Sequence, residues 1–106
     1  MGGDYLNAKS IEELINRRRW QVLVHSFLYY RMNTSIVSDQ QYDVWARELA
    51  DLQTKYPDIA KNCIFPDAFA DFGESVTGFN LPLHDPRVVS KGLQILKIHE
   101  KRGGRQ

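Results

Sequence analysis

Tyr29, Tyr30, Asp39, Tyr42 and Asp43 crowd into one run, YYRMNTSIVSDQQYD, which sets phenol rings and carboxylates around a short polar turn. The faces of such rings attract planar electron-poor heterocycles and cations. Carboxylates accept hydrogen bonds from paired sugar hydroxyls, as the acid of a dinucleotide fold does from ribose. Asp39, Tyr42 and Asp43 stand at i, i+3 and i+4, so on a helix they share one face of its first turn. His25 precedes Tyr29 by one helical turn and joins the same side. A turn that brings these two helix ends together makes a concave patch suited to a cationic ring carrying a ribose. Each side chain also has a purely structural use. Asp39 complements a helix dipole, Asp43 pairs with Arg47 four residues on, the tyrosines fill a core edge, and His25 makes a helix hydrogen bond.

The elements that must position this patch are legible from periodicity. Ser10 begins SIEE, a capping box with Glu13, and Ile11, Leu14, Ile15, Val22, Leu23 and Phe27 recur at helical spacing to about Met32. Ser38 and Gln41 form a second capping box in SDQQ. Tyr42, Trp45, Ala46, Leu49 and Leu52 continue that helix until Pro57 ends it. The short NTSIV turn between them makes the pair antiparallel. A third helix starts at Asp85 with Pro86 in its first position and buries Val88, Val89, Leu93, Leu96 and Ile95. Gly92 costs it about 1 kcal/mol relative to alanine. The expected fold is therefore all-α, an antiparallel hairpin with a C-terminal third helix. Its boundaries are a tail over 1–9 and a single domain over 10–100, with the hairpin at 10–57, a loop at 58–84 and the third helix at 85–100. A basic, glycine-broken tail over 101–106 is read as disordered. Phe65, Phe69, Phe72 and Phe79 are expected to lay the loop across the helices, with room in it for one helical turn.

Composition narrows the classes of function. The 106 residues suit one domain with a true core, and 14 basic against 13 acidic side chains leave a net charge of +1. That balance argues against a protein that coats nucleic acid. RRRW at Arg17–Trp20 and the C-terminal basic residues read as a solvated face rather than a phosphate patch. Cys63, the single cysteine, cannot form a disulfide within the chain and fits a cytoplasmic setting as an inert residue. No apolar run is long enough to span a membrane, and the start MGGDYLNAKS lacks the layout of a signal peptide. His84, His99 and Cys63 have no zinc-like spacing, so no metal is expected.

The run YYRMNTSIVSDQQYDVWARELADLQTKYPD resembles the N-terminal Ia domain of bacterial NAD-dependent DNA ligases. Shared are the paired rings, the short turn, Ser-Asp-x-x-Tyr-Asp, and a helix ending in Tyr-Pro. The likeness runs from about Ile11 to Asp58. It implies a helical pair holding the nicotinamide mononucleotide (NMN) half of NAD. Tyr29 and Tyr30 would stack on nicotinamide, while Asp39, Tyr42 and Asp43 would meet its ribose and phosphate side. The family's Ser-Pro-Thr segment and its Lys-x-Asp-Gly nucleophile are missing from this chain. SKGL around Lys91 lacks the aspartate. Trp45 stands where leucine is common.

Residues and resemblance together imply a non-catalytic nucleotide-binding module with no tightly held cofactor and with NAD or NMN as its ligand. In a virus or mobile element it would sequester or sense a nicotinamide or signalling nucleotide. It could also serve an NAD-using enzyme, or a truncated ligase, as a partner in trans. The competing expectation is a protein-interaction module, an inhibitor or accessory subunit, whose surface is the Phe65–Phe79 loop.

Overall fold

The computed structural model describes residues 7–70, 72 and 81–102. Within them the chain is all-α, with helices α1 (Ala8–Arg31), α2 (Asp39–Lys55), α3 (Pro57–Ala60) and α4 (Pro86–Lys101) and no strand. Helix α1 is the central element, and α2, α3 and α4 each pack on it.

Helix α1 begins earlier than its capping box suggested. Asn7, not Ser10, is the N-cap, and Asn7 Oδ1 accepts from Ser10 N–H at 2.9 Å. Asparagine caps as well as serine, and starting there adds nearly a turn, so Ala8 and Lys9 are helical rather than tail. At the other end Asn33 takes a left-handed φ of 54°, and Thr34 N–H reaches back to Leu28 O at 2.9 Å. That residue reverses the chain toward α2. Ser38 caps α2 as expected, its Oγ accepting from Gln41 N–H at 3.0 Å. Side-chain pairs then run in opposite senses along the two helices. Arg18 meets Glu48, and Ser26 meets Tyr42, so the hairpin is antiparallel.

Pro57 both ends α2 and opens α3, a single turn at the start of the expected loop. The segment after α3 borrows hydrogen-bond partners from the hairpin. Asn16 Oδ1 accepts from Ile64 N–H at 2.9 Å, and Arg19 Nη1 donates to Ile64 O at 2.6 Å. Gln53 clasps Arg19 Nε through Oε1 and Phe69 O through Nε2. Arg19 is thus buried, its guanidinium 5.1 Å from the Phe69 ring centre. The solvated face expected of RRRW holds only for Arg17, since Arg18 pairs with Glu48 and Arg19 turns inward. Phe69 is fully buried, Phe72 lies against it, and Phe65 packs edge-on to Trp20. Phe69 is thereby withdrawn from the apolar surface that the interaction reading invoked, while Phe65 and Phe72 stay half-buried. Phe79 lies outside the described residues. Cys63 is buried with its thiol on Ile59 O, and burial pushes that thiol up, away from a reactive thiolate.

Asp85 caps α4 through Arg87 N–H at 2.8 Å, and Pro86 is its first residue. The buried face is Val88 and Gly92 with Ile95 and Leu96 at its flank, while the expected core residue Leu93 is 44% exposed. The reason is steric. A Cβ on Gly92 would lie 2.5 Å from a Phe27 ring carbon, so α4 turns its glycine, not its leucine, to α1. Helix α4 extends through Lys101, and residues 103–106 of the expected basic tail lie outside the described residues.

Candidate functional site

The last two turns of α1, the reversing segment and the first turn of α2 enclose a cavity of about 440 Å³. Helical spacing puts His25 and Tyr29 on one side of α1, with Tyr30 beside them, and Asp39, Tyr42 and Asp43 on one side of α2. All six candidates line this single cavity.

Tyr29 and Tyr30 are the open wall, 56% and 41% exposed, with ring centres 4.9 Å apart and planes at 86°. One ring therefore offers a face where the other offers an edge. Tyr42 forms the floor. Its hydroxyl shares a 2.7 Å hydrogen bond with Ser26 Oγ, and burial holds its pKa above the usual phenol range, so it stays protonated. Asp39 and Asp43 stand exposed, one turn apart. Asp43 also accepts from Arg47 Nε at 2.7 Å, so its structural use is realised alongside its place at the cavity.

His25 differs from its expected role as a helix histidine. Its Nδ1 is buried and has no hydrogen-bond partner among the described residues, and burial lowers its pKa below the ordinary 6.5. The imidazole is thus neutral at pH 7. Trp45 packs on it with ring centres 5.4 Å apart and planes 35° apart. Trp45 is therefore the backing of the cavity's histidine.

Sequence reasoning missed the middle of the wall. Ser26, Ser35, Ile36, Val37 and Ser38 also line the cavity. Ser26 carried a signal, since it lies one position from His25 and four from Tyr30. The others sit in the turn, whose course depends on the left-handed Asn33 rather than on any period.

Among the described residues no lysine or arginine lines the cavity. Aromatic faces, hydroxyls and two carboxylates without a lining cation suit a positively charged planar ring with hydroxyl groups attached. Among the described residues no group of three His, Cys, Asp or Glu side chains is placed to hold a metal ion, and no helix is long and apolar enough to cross a membrane.

Residues 8–62, which include every residue lining the cavity, match the family model of the DNA ligase-like, N-terminal NAD+-binding domain. The DNA ligase of Petrotoga mobilis is 35% identical over 51 residues, covering 48% of this chain and 8% of that protein. The DNA ligase of Chloroherpeton thalassium is 30% identical over 87 residues, 80% of this chain and 12% of that one. With the Thermotoga maritima DNA ligase the identity is 27% over 84 residues, 77% and 12%. The chain thus spans only about a tenth of the length of these relatives. No solved structure matches it.

Proposed function

Because the chain belongs to the family of DNA ligase-like, N-terminal NAD+-binding domains, we propose that it is a nucleotide-binding module that takes the NMN half of NAD into the cavity between α1 and α2 and performs no covalent chemistry itself. The observation that carries this reading is the convergence of His25, Tyr29, Tyr30, Asp39, Tyr42 and Asp43 on one cavity inside the segment that the family model matches. Tyr29 and Tyr30 take the pyridinium on their exposed faces. Asp39 and Asp43 accept from the ribose hydroxyls, and Tyr42, fixed by Ser26, closes the floor. Acting this way, the chain sequesters or senses a nicotinamide nucleotide in the cytoplasm, or presents it to an enzyme that carries the remaining machinery.

Titration calorimetry tests the reading directly. NMN and NAD should both release or absorb heat with one-to-one stoichiometry, while AMP and ADP-ribose, which lack the pyridinium, should not. A native-state ligand at about 100 times its Kd also adds about 2.7 kcal/mol to stability, which a thermal melt will register. Heat from AMP, or silence from NMN, would remove the nicotinamide reading.

A further inference from the structure

The geometry points to a site that reads the positive charge and ribose of an N-ribosyl pyridinium and offers no cation to its 5′-phosphate, so that the nucleoside is the better ligand of this chain. The inference rests on the nicotinamide reading above and narrows it.

The argument is electrostatic. Asp39 and Asp43 bring two carboxylates to the cavity, that of Asp43 shared with Arg47, and among the described residues no lysine or arginine lines it. The guanidinium on α2, that of Arg47, is engaged by Asp43 at 2.7 Å. The one that follows Tyr30 on α1, that of Arg31, is directed to His84 Nδ1 at 3.1 Å. His25 adds no charge, because burial keeps it neutral. A phosphate carrying about −1.5 to −2 charges would enter beside like charge with no cation to receive it.

Helix α2 presents its N-terminus to the same cavity, and a helix N-terminus favours anions. Here that preference is met in part within the protein. Asp39 sits in the first turn, and Ser38 Oγ takes the Gln41 N–H at 3.0 Å. Some of the lining hydroxyls are engaged within the protein. Ser35 Oγ donates to Val37 O at 3.3 Å, and Tyr42 and Ser26 share their hydrogen bond. For the pyridinium the balance is reversed. Two carboxylates and two exposed ring systems all attract it.

Calorimetry with nicotinamide riboside and NMN on the full chain tests this at two salt concentrations. At about 0.15 M salt the screening length is about 8 Å, and at 0.01 M it is about 30 Å, so the repulsion is felt most at low salt. The riboside should bind about tenfold more tightly than NMN at low salt, with the gap narrowing as salt is added. In the double variant Asp39→Asn, Asp43→Asn, checked for folding by circular dichroism, the preference for the riboside should vanish. NMN binding as tightly as the riboside at low salt, or a preference unchanged in the double variant, overturns the inference but leaves the nicotinamide reading intact. Silence from both ligands removes that reading, and the inference with it.

Discussion

Asp43 carries two bonds of different worth, and variants separate them. Its exposed pair with Arg47 contributes about 0–1 kcal/mol to stability. A charge-assisted hydrogen bond to a ribose hydroxyl is worth about 1.5–3 kcal/mol. Asp43→Asn should therefore weaken NMN binding about tenfold or more while moving the melting temperature little. Arg47→Ala breaks the same ion pair but keeps the carboxylate, so it should preserve binding. If both variants weaken binding equally, Asp43 serves only its helix. His25 makes a prediction about pH. Its folded pKa lies below the ordinary 6.5, so as pH falls through that value the unfolded chain takes up a proton that the folded chain refuses. Its contribution to stability is complete above that value and declines as pH drops toward the lowered folded pKa. His25→Phe should flatten that decline in urea melts run between about pH 7 and pH 5, and an unchanged slope would place the titration elsewhere. These six side chains were legible in the sequence because helical spacing alone decides which of them share a face. The orphaned Nδ1 was not, because it depends on Trp45 packing from another helix.

At the scale of elements, periodicity identifies helices well but does not rank the residues on their buried face. Leu93 and Gly92 exchange their expected places, since the deciding fact is the Phe27 ring on α1. Helix propensity alone says that Gly92→Ala stabilises α4 by about 1 kcal/mol. The contact says otherwise. The new Cβ would fall 2.5 Å and 2.8 Å from two atoms of a ring that is itself 4% exposed and has no free side to yield into. Overpacking of this kind costs about 1–3 kcal/mol, so the urea midpoint of Gly92→Ala should fall. Phe27→Leu should relieve part of that cost, making the double variant less than additive. A midpoint that rises would mean that α4 is free to back away from α1. The segment after α3 shows the same limit. Its course is set by Asn16, Arg19 and Gln53, polar side chains on helices distant in sequence, and nothing in its own residues announces those partners.

For the whole molecule, the arrangement of α2, α3 and α4 around α1 brings one cavity to the hairpin's closed end and leaves Lys91 elsewhere. Lys91 occupies the only segment, SKGL, that approaches a lysine-nucleophile motif. Its ammonium lies 5.0 Å from the centre of the Trp20 ring, in a separate shallow hollow with Pro86, Arg87, Ser90 and Gln94. None of those residues lines the 440 Å³ cavity. A lysine that takes an adenylate from NAD must stand within reach of the α-phosphate while the nicotinamide end is held, with the attacking atom about 3–3.5 Å from its target. Lys91 lines the separate hollow and not the cavity, so it does not meet that condition. The 106-residue chain incubated with NAD labelled in its adenylate half should accordingly run unlabelled on a denaturing gel, although the same NAD shifts its melting temperature. Supplying a nucleotidyltransferase domain from a DNA ligase that lacks its own N-terminal module provides the contrasting arm. Label should then appear on that domain's lysine, at a rate that rises with the concentration of this chain and falls with Asp43→Asn. Label on this chain alone would overturn the division between holding the nucleotide and attacking it.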